Sequence, residues 1–346
     1  MKQKIGFVAI GQAGGNIGKL LEEKGCTVIY VNTSEEDLDT LDSSKFKYHI
    51  NGGEGCNHDR HKAKQLVIDD YDNIAQEIDN KLNTDFIFCI FSSSGGTGSG
   101  AGPMLMDLLI DDERIVGAIT IIPSIDESIK SQINSYECFT ELKSIEGTSS
   151  IFILDNGKES DRLSINQKFV DAFVDFIEIP DKHKSVKGNI DKAEIQESLK
   201  AHGMAIVTVT SGTDSAAVID TFSDNVFAPL ENDRTIKYIT ASSSFDLSMN
   251  DLVKSVGIAV DYFQTYNEDH TICLLSGLKL PFGRLDQVLQ MVESNKETII
   301  KNLSATKDYD MKSDFNFLSG QQINKSDSAP DSKHKTKRDI MKKYFK

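Results

Sequence analysis

Residues 92–102 read SSSGGTGSGAG and follow directly on DFIFCIF (85–91), a run with the makeup of a buried strand. A stretch of hydroxyl side chains and glycines cannot build a core, so its chemistry rests on backbone N–H and hydroxyl groups. A second stretch repeats the arrangement: KIGFVAI (4–10) runs into GQAGGNIG (11–18) and then a helical pattern. A strand, a glycine turn and a helix start together form an anion site, because unpaired N–H groups converge there and the helix dipole favours negative charge. Two such loops on neighbouring strands point to a polyphosphate, with Ser94, Thr97 and Ser99 offering further donors. Tight turning is the plainer explanation of the glycines, but it does not call for so many hydroxyls.

Working outward, TVIYVN (27–32), RIVGAITIIP (114–123) and SSIFILDN (149–156) read as further strands, and Asp59–Leu82 and Ser131–Glu146 as helices between them. This alternation predicts a parallel sheet with helices on both faces, binding ligands at the carboxyl ends of its strands. Leu163, Val170, Phe173, Val174 and Ile177 stand at helical spacing and predict a long helix over 163–177. The expected organisation is a nucleotide-binding domain over 1–180, a connecting loop and helix over 181–203 and a smaller α/β domain over 204–303. Strands at 204–211, 235–242 and 271–280 and helices near Ser248–Phe263 and Leu285–Leu303 would build that smaller domain. A polar linker and basic tail over 304–346 complete the chain, the tail expected to be disordered.

The 346 residues are 39% apolar and carry a net charge of −15. Residues 333–346, KHKTKRDIMKKYFK, hold seven Lys/Arg and one Asp, a local +6 that leaves −21 on residues 1–332. The body should repel nucleic acid and the tail attract polyanions, which argues against sequence-specific DNA binding by the chain itself. No run approaches the roughly 18 apolar residues of a membrane span. The first residues read as a strand entering a glycine turn, not a signal peptide, so a cytoplasmic location is expected. Five scattered cysteines without a CxxC pair predict free thiols. Cys56, His58 and His61 lie close together, but no second ligand pair stands at zinc spacing, so a polar loop is preferred and no side-chain metal ligand is expected.

Common phosphate patterns fit poorly. The Walker pattern is nearly met at 13–20, with Ala13 for its first glycine and Leu20 for its Ser/Thr. The dinucleotide fingerprint needs Ala13 as a glycine and has Asn32 near the place of its ribose acid. SGGTGSG (94–100), however, resembles the tubulin signature GGGTGSG with serine in place of the first glycine. GQAGGNIG, VNTSEEDL (31–38) and GGEGCNHDR (52–60) likewise resemble segments of tubulin and FtsZ. The chain is thus similar to the tubulin/FtsZ superfamily of GTPases, and within it to the TubZ-like group of bacterial plasmids and phages, clostridial phages included.

That resemblance implies roles for particular residues. Gly11, Gln12, Gly15 and Asn16 would line the phosphates of GTP or GDP. Gly52, Gly53 and Gly55 would reach the γ-phosphate, and Ser94, Gly95, Gly96, Thr97, Gly98, Ser99 and Gly100 would wrap the α- and β-phosphates. Asn156 and Asn166, the latter on the long helix, are expected on the ribose and guanine side, with Glu127 near the ribose. Mg2+ would be held through phosphates and water. GNIDKAEI (188–195) resembles the loop that completes the site of a neighbouring subunit, with Asn189, Asp191 and Glu194 at its N-x-D-x-x-[DE] spacing. Its simpler reading is a helix cap, Asp191 with Glu194 three residues on, and both readings can hold together.

The resemblance further implies head-to-tail filaments, with a neighbouring subunit and a DNA-bound, centromere-binding adaptor as partners. The adaptor would engage the basic tail, whose Ile340, Met341, Tyr344 and Phe345 would share a helical face. The expected role is movement or positioning of plasmid or phage DNA. The alternatives are an FtsZ-like division or scaffold filament, and, in another class, an NAD(P)-dependent oxidoreductase.

Overall fold

The computed structural model describes residues 1–42, 44–84, 86–231, 235–296 and 337–345. The first half alternates strand and helix: β1 (Gly6–Ile10), α1 (Gly11–Glu23), β2 (Thr27–Asn32), α2 (Glu35–Asp39), β3 (Lys47–His49), α3 (Arg60–Lys81), β4 (Phe86–Ser92), α4 (Thr97–Asp111), β5 (Ile115–Ile122), α5 (Ile129–Lys143) and β6 (Ser150–Asp155). A 21-residue helix, α6 (Arg162–Lys182), leads to a small hairpin of β7 (Lys184–Ser185) and β8 (Gly188–Asn189) and to α7 (Lys192–Lys200). The rest comprises β9 (Gly203–Thr210), α8 (Ser215–Thr221), β10 (Thr235–Ser243), α9 (Met249–Val256), β11 (Ile258–Tyr266), β12 (Thr271–Leu278), α10 (Phe282–Ser294) and α11 (Lys337–Lys343).

One ten-stranded sheet runs in the order β11-β10-β12-β9-β6-β5-β4-β1-β2-β3. From β9 through β6, β5, β4, β1 and β2 to β3 every pairing is parallel, whereas β12 is antiparallel to both of its neighbours. The strands after Met204 therefore continue the first sheet, through the β6–β9 pairing of Ser150 with Gly203. Strands buried on both faces read as continuous apolar runs, and β1, β4 and β6 do so.

An aromatic cluster fixes α6 to this sheet. Phe173 meets Phe7, Phe88 and Phe152 with ring centroids 6.0, 5.7 and 5.4 Å apart, and Phe169 meets Phe152 and Phe227 at 5.6 and 5.9 Å. Edge-to-face geometry at such distances adds to the burial of the rings. Val170, Phe173, Val174 and Ile177 are buried as the periodicity requires, but Leu163 is 64% exposed because it lies in the first turn, beyond the edge of the core.

Two further expectations are corrected. The helix expected over Ser248–Phe263 ends at Val256, where Gly257 takes a φ of 124°, and β11 follows. IAVDYFQTY is rich in β-branched and aromatic residues, and pairing with β10 decides the matter. The basic end was expected to be unstructured, yet its described residues, 337–345, include α11 with Ile340 and Tyr344 buried. The linker 304–336 and the end of the helix expected to reach Leu303 lie outside the described residues.

Candidate functional site

Seven helices, α2, α3 and α5 to α9, begin with a Ser or Asp whose side chain accepts from a backbone N–H of the first turn. The helices α1 and α4 do not: their caps are Ile10 and Gly96, no side chain accepts from them, and no acid stands in their first turns. Gly11–Gly18, expected as a turn before a helix, is itself the start of α1, which follows β1 directly, while 93–96 make the turn into α4. The N-terminal N–H groups and dipoles of both helices remain available to an anion.

The three glycine loops converge. Gly11 has a φ of 70°, and a Cβ there would lie 3.3 Å from the Gly98 nitrogen. A Cβ on Gly96 would lie 2.8 Å from the His58 nitrogen, and one on Gly100 would lie 2.4 Å from the Arg60 carbonyl oxygen. These glycines exist because the 52–60 loop rests directly on the 94–100 loop. Gly95, by contrast, has nothing within 4 Å of the position a Cβ would take, which leaves that side of its backbone open. Gly11, Gln12, Gly15 and Asn16 share a small cavity with Asn32 and Asp37, and Gln12 and Asn16 are exposed. Gly53 packs under Thr33, and Gly52 and Gly55 have φ values of 75° and 72° that favour glycine.

The hydroxyls expected as phosphate donors also bond within the protein. Ser99 donates to the Gly95 carbonyl, Ser94 pairs with Ser92 at 2.9 Å, and Thr97 pairs with Thr33 at 2.7 Å. The Gly100 N–H is likewise used inside the helix, donating to Gly96. Side chains therefore brace the loop, and its uncapped N–H groups remain to face a ligand.

Four residues that sequence reasoning did not single out hold this arrangement. Asn134 of α5, 1% exposed, donates its amide to the carbonyls of His58, Ser94 and Gly95 at 3.0, 3.1 and 3.2 Å. Thr33 is fully buried; its carbonyl takes the Gly55 N–H at 2.7 Å and its hydroxyl accepts from Cys56. Arg60 is ion-paired to Glu137 and Glu141 and donates to the Ser99 carbonyl at 3.0 Å. Pro103 stands four residues after Ser99 and has no N–H to give that carbonyl, so the guanidinium takes the place of the missing helix bond. Burial opposes the charge on Arg60, but its neighbours together, Glu141 first and Glu137 among them, outweigh it and the group stays above its ordinary value. Asp70 accepts from Tyr48 at 2.6 Å, from Asn51 twice and from Asn73 at 2.7 Å, which pins the turn before Gly52. Burial would raise the Asp70 carboxyl, but the bonds from Asn73, Tyr48 and Asn51 hold it below the ordinary value.

On the other side, Glu127 accepts from the Asn156 amide at 3.2 Å and pairs with Arg162 at 3.1 Å, so two residues expected together are together. Asn166 lies a turn into α6 and is 6% exposed; the hydrogen bonds joining Glu127 to Asn156 do not include it.

Asn189, Asp191 and Glu194 lie elsewhere. The Glu127–Arg162 pair places the start of α6 by the glycine-loop end of the sheet, and 21 residues extend it by about 30 Å. Its far end meets the beginning of β1, through Met1 with Asp181 and Lys2 with Glu178. The three residues follow that far end. Asp191 and Glu194 form a complete capping box: Asp191 Oδ1 accepts from Ala193 and Glu194 at 2.7 and 2.9 Å, and the Asp191 N–H donates to Glu194 Oε2 at 2.8 Å.

A parallel sheet with uncapped glycine loops at the carboxyl ends of β1 and β4, and a long helix carrying the chain to the opposite pole, defines a tubulin-like nucleotide-binding protein. Residues 4–161 match the Tubulin/FtsZ family, GTPase domain. Among relatives, the tubulin-like protein TubZ of Clostridium botulinum C phage is 28% identical over 303 residues, covering 85% of this chain and 84% of its own. The tubulin-like protein CetZ of Pyrococcus abyssi is 25% identical over 250 residues, 66% of either chain. The crystal structure of Clostridium botulinum phage c-st TubZ matches with a TM-score of 0.78 at 25% identity, covering 86% of this chain and all of that one. A GTPγS-form protofilament of Bacillus thuringiensis serovar israelensis TubZ shares the fold, with a TM-score of 0.72 at 15% identity, covering 88% and 95%. No helix among the described residues is long and apolar enough to cross a membrane.

Proposed function

We propose that this chain binds GTP, assembles head to tail and hydrolyses GTP at the contact between subunits. The observation that carries the reading is the separation of Asn189, Asp191 and Glu194 from the glycine loops by the length of α6. Carboxylates that far from their own loops can serve only the loops of another copy. A contact of one pole with the opposite pole repeats without closing, which is the geometry of a filament. The protofilament formed by the Bacillus protein accords with this.

In this reading the uncapped N-termini of α1 and α4 bind the phosphates, and Gln12 and Asn16 line them. Asn166 recognises the base, and Glu127 and Asn156 the ribose. The cap occupies one oxygen of Asp191 and one of Glu194, leaving the other oxygen of each carboxylate to orient a water for attack on the γ-phosphate. Mg2+ would be held by phosphate oxygens and water, with no side chain of this chain as a direct ligand. When bound, Mg2+ offsets phosphate charge.

We assign residues 1–180 to nucleotide binding, 181–203 to the interface and 204–303 to a supporting unit, in a cytoplasmic protein that moves or positions plasmid or phage DNA. The basic tail is its hook for a DNA-bound, centromere-binding adaptor. Sedimentation against protein concentration with GTP, GDP, ATP or no nucleotide tests the core of this reading. Polymer above a threshold concentration with GTP, together with phosphate release, is the expected result; indifference to nucleotide would overturn it.

A further inference from the structure

The C-terminal helix α11 is held in a groove between α3, α4 and α5 by contacts of several kinds. Ile340 and Tyr344 are 3% and 5% exposed, and Phe345 packs edge-on against His61 at 4.8 Å. The Tyr344 hydroxyl donates to the Pro103 carbonyl at 3.1 Å and to Asp107 at 3.2 Å. Lys343 pairs with Asp107 at 2.7 Å and donates to the Ser144 carbonyl. Lys64 of α3 donates to the Tyr344 carbonyl at 3.3 Å while paired with Glu141. The groove therefore answers the helix in burial and charge, covering Ile340 and Tyr344 and offering an acid for its lysine and a lysine for its terminal carbonyl.

We propose that the groove is a receptor for the chain's own C-terminal helix, so that the tail alternates between a stowed state and a free one. The residues stowed are those that a partner would need. Ile340, Tyr344 and Phe345 form the apolar side of a basic helix, and a face buried against α4 cannot be offered to another protein at the same time. Any partner that grips this helix must first displace it, and its apparent affinity falls by the fraction of tails that are stowed. The consequence for an adaptor rests on the tail reading above; docking itself requires no partner and is tested without one.

The test is hydrogen exchange on the full chain, read by mass spectrometry of peptides spanning 337–345 and without nucleotide. Stowing predicts exchange at least about tenfold slower than for an unstructured segment, unchanged by dilution. Asp107→Lys or Lys343→Asp should abolish the protection, and the double variant Asp107→Lys/Lys343→Asp should regain part of it. Peptides from β4 and β5 report whether each variant remains folded. Free exchange of 337–345 in the unaltered chain would overturn the proposal. Failure of the double variant to regain protection over an intact core would do the same. Protection lost on dilution would place the helix in another copy's groove and overturn the intramolecular assignment.

Discussion

Arg284 Nε lies 3.0 Å from Asp155 Oδ2, with the two side chains 6% and 7% exposed. Arg284 belongs to α10 and Asp155 ends β6, and a second guanidinium nitrogen donates to the Pro123 carbonyl just after β5 at 2.6 Å. One side chain thus clamps the ends of the two strands that lead into Glu127 and Asn156. Removing one partner of a buried pair strands the other's charge, so Arg284→Ala should cost about 3–5 kcal/mol. Arg284→Lys should recover only part, because an ammonium lacks the fork that reaches both acceptors. Urea unfolding of both variants checks this, and a loss below about 1 kcal/mol for the alanine variant would assign the clamp little weight.

Asn134 holds three loop carbonyls without facing the ligand itself. In Asn134→Ala the Gly95 carbonyl keeps Ser99, but the His58 and Ser94 carbonyls lose the amide, a penalty of about 1–3 kcal/mol for a group left unpaired. The loop should relax to find other donors, so nucleotide affinity should fall by about tenfold or more while the sheet stays folded. Titration with a fluorescent guanine nucleotide, alongside far-UV circular dichroism, separates the two effects.

Glu194→Ala should leave nucleotide binding unchanged, since the residue stands at the pole opposite its own glycine loops. Loss of its half of the capping box should cost about 1 kcal/mol or less, whereas turnover should fall by orders of magnitude. In Gly98→Asp a Cβ would lie 3.0 Å from the Ser92 carbonyl oxygen, and a negative charge would join the phosphate loop. Each variant alone should be inactive. Mixing them should restore some phosphate release, because an intact loop then meets an intact Glu194. No recovery in mixed assemblies, given normal assembly of each partner, would count against a shared site.

The Asp70 carboxylate makes stability depend on acid in a defined direction. Its folded value lies below the ordinary 3.8, so its contribution is complete above that pH and is lost as pH falls towards the folded value. Asp70→Asn should remove this part of the acid dependence, narrowing the gap between the two proteins as pH falls through 3.8 and below. Because Asp70 pins the turn before Gly52, the variant should also discriminate less between GTP and GDP. Urea midpoints across that range and paired nucleotide titrations provide the two measurements.

The central strands and long helices were legible because burial on both faces of a parallel sheet leaves a continuous apolar run. Every strand from β1 to β6 was therefore readable except β3, whose three residues Lys47, Tyr48 and His49 carry no such run. Helix α8 went unread for a similar reason, since seven residues give too short a period. Strand β11 was mistaken for helix because it forms the sheet edge, where Ile258, Val260 and Tyr262 are exposed and an inside-facing alternation is lost.

By itself the sequence determined the glycine stretches, the parallel sheet and the N-x-D-x-x-E spacing, since each is local: a glycine, a periodicity, a cap. Only the tertiary structure decided what those residues touch. It turned Ser94, Thr97 and Ser99 inward and brought Asn134, 36 residues beyond Gly98 in the chain, onto the loop's carbonyls. It also gave the carbonyl freed by Pro103 to Arg60, and laid Tyr344 against α4 across 237 residues of chain from Asp107. Hydrogen-bond partners distant in the chain leave no period or composition to read, and which donor meets which acceptor is settled only when the elements pack.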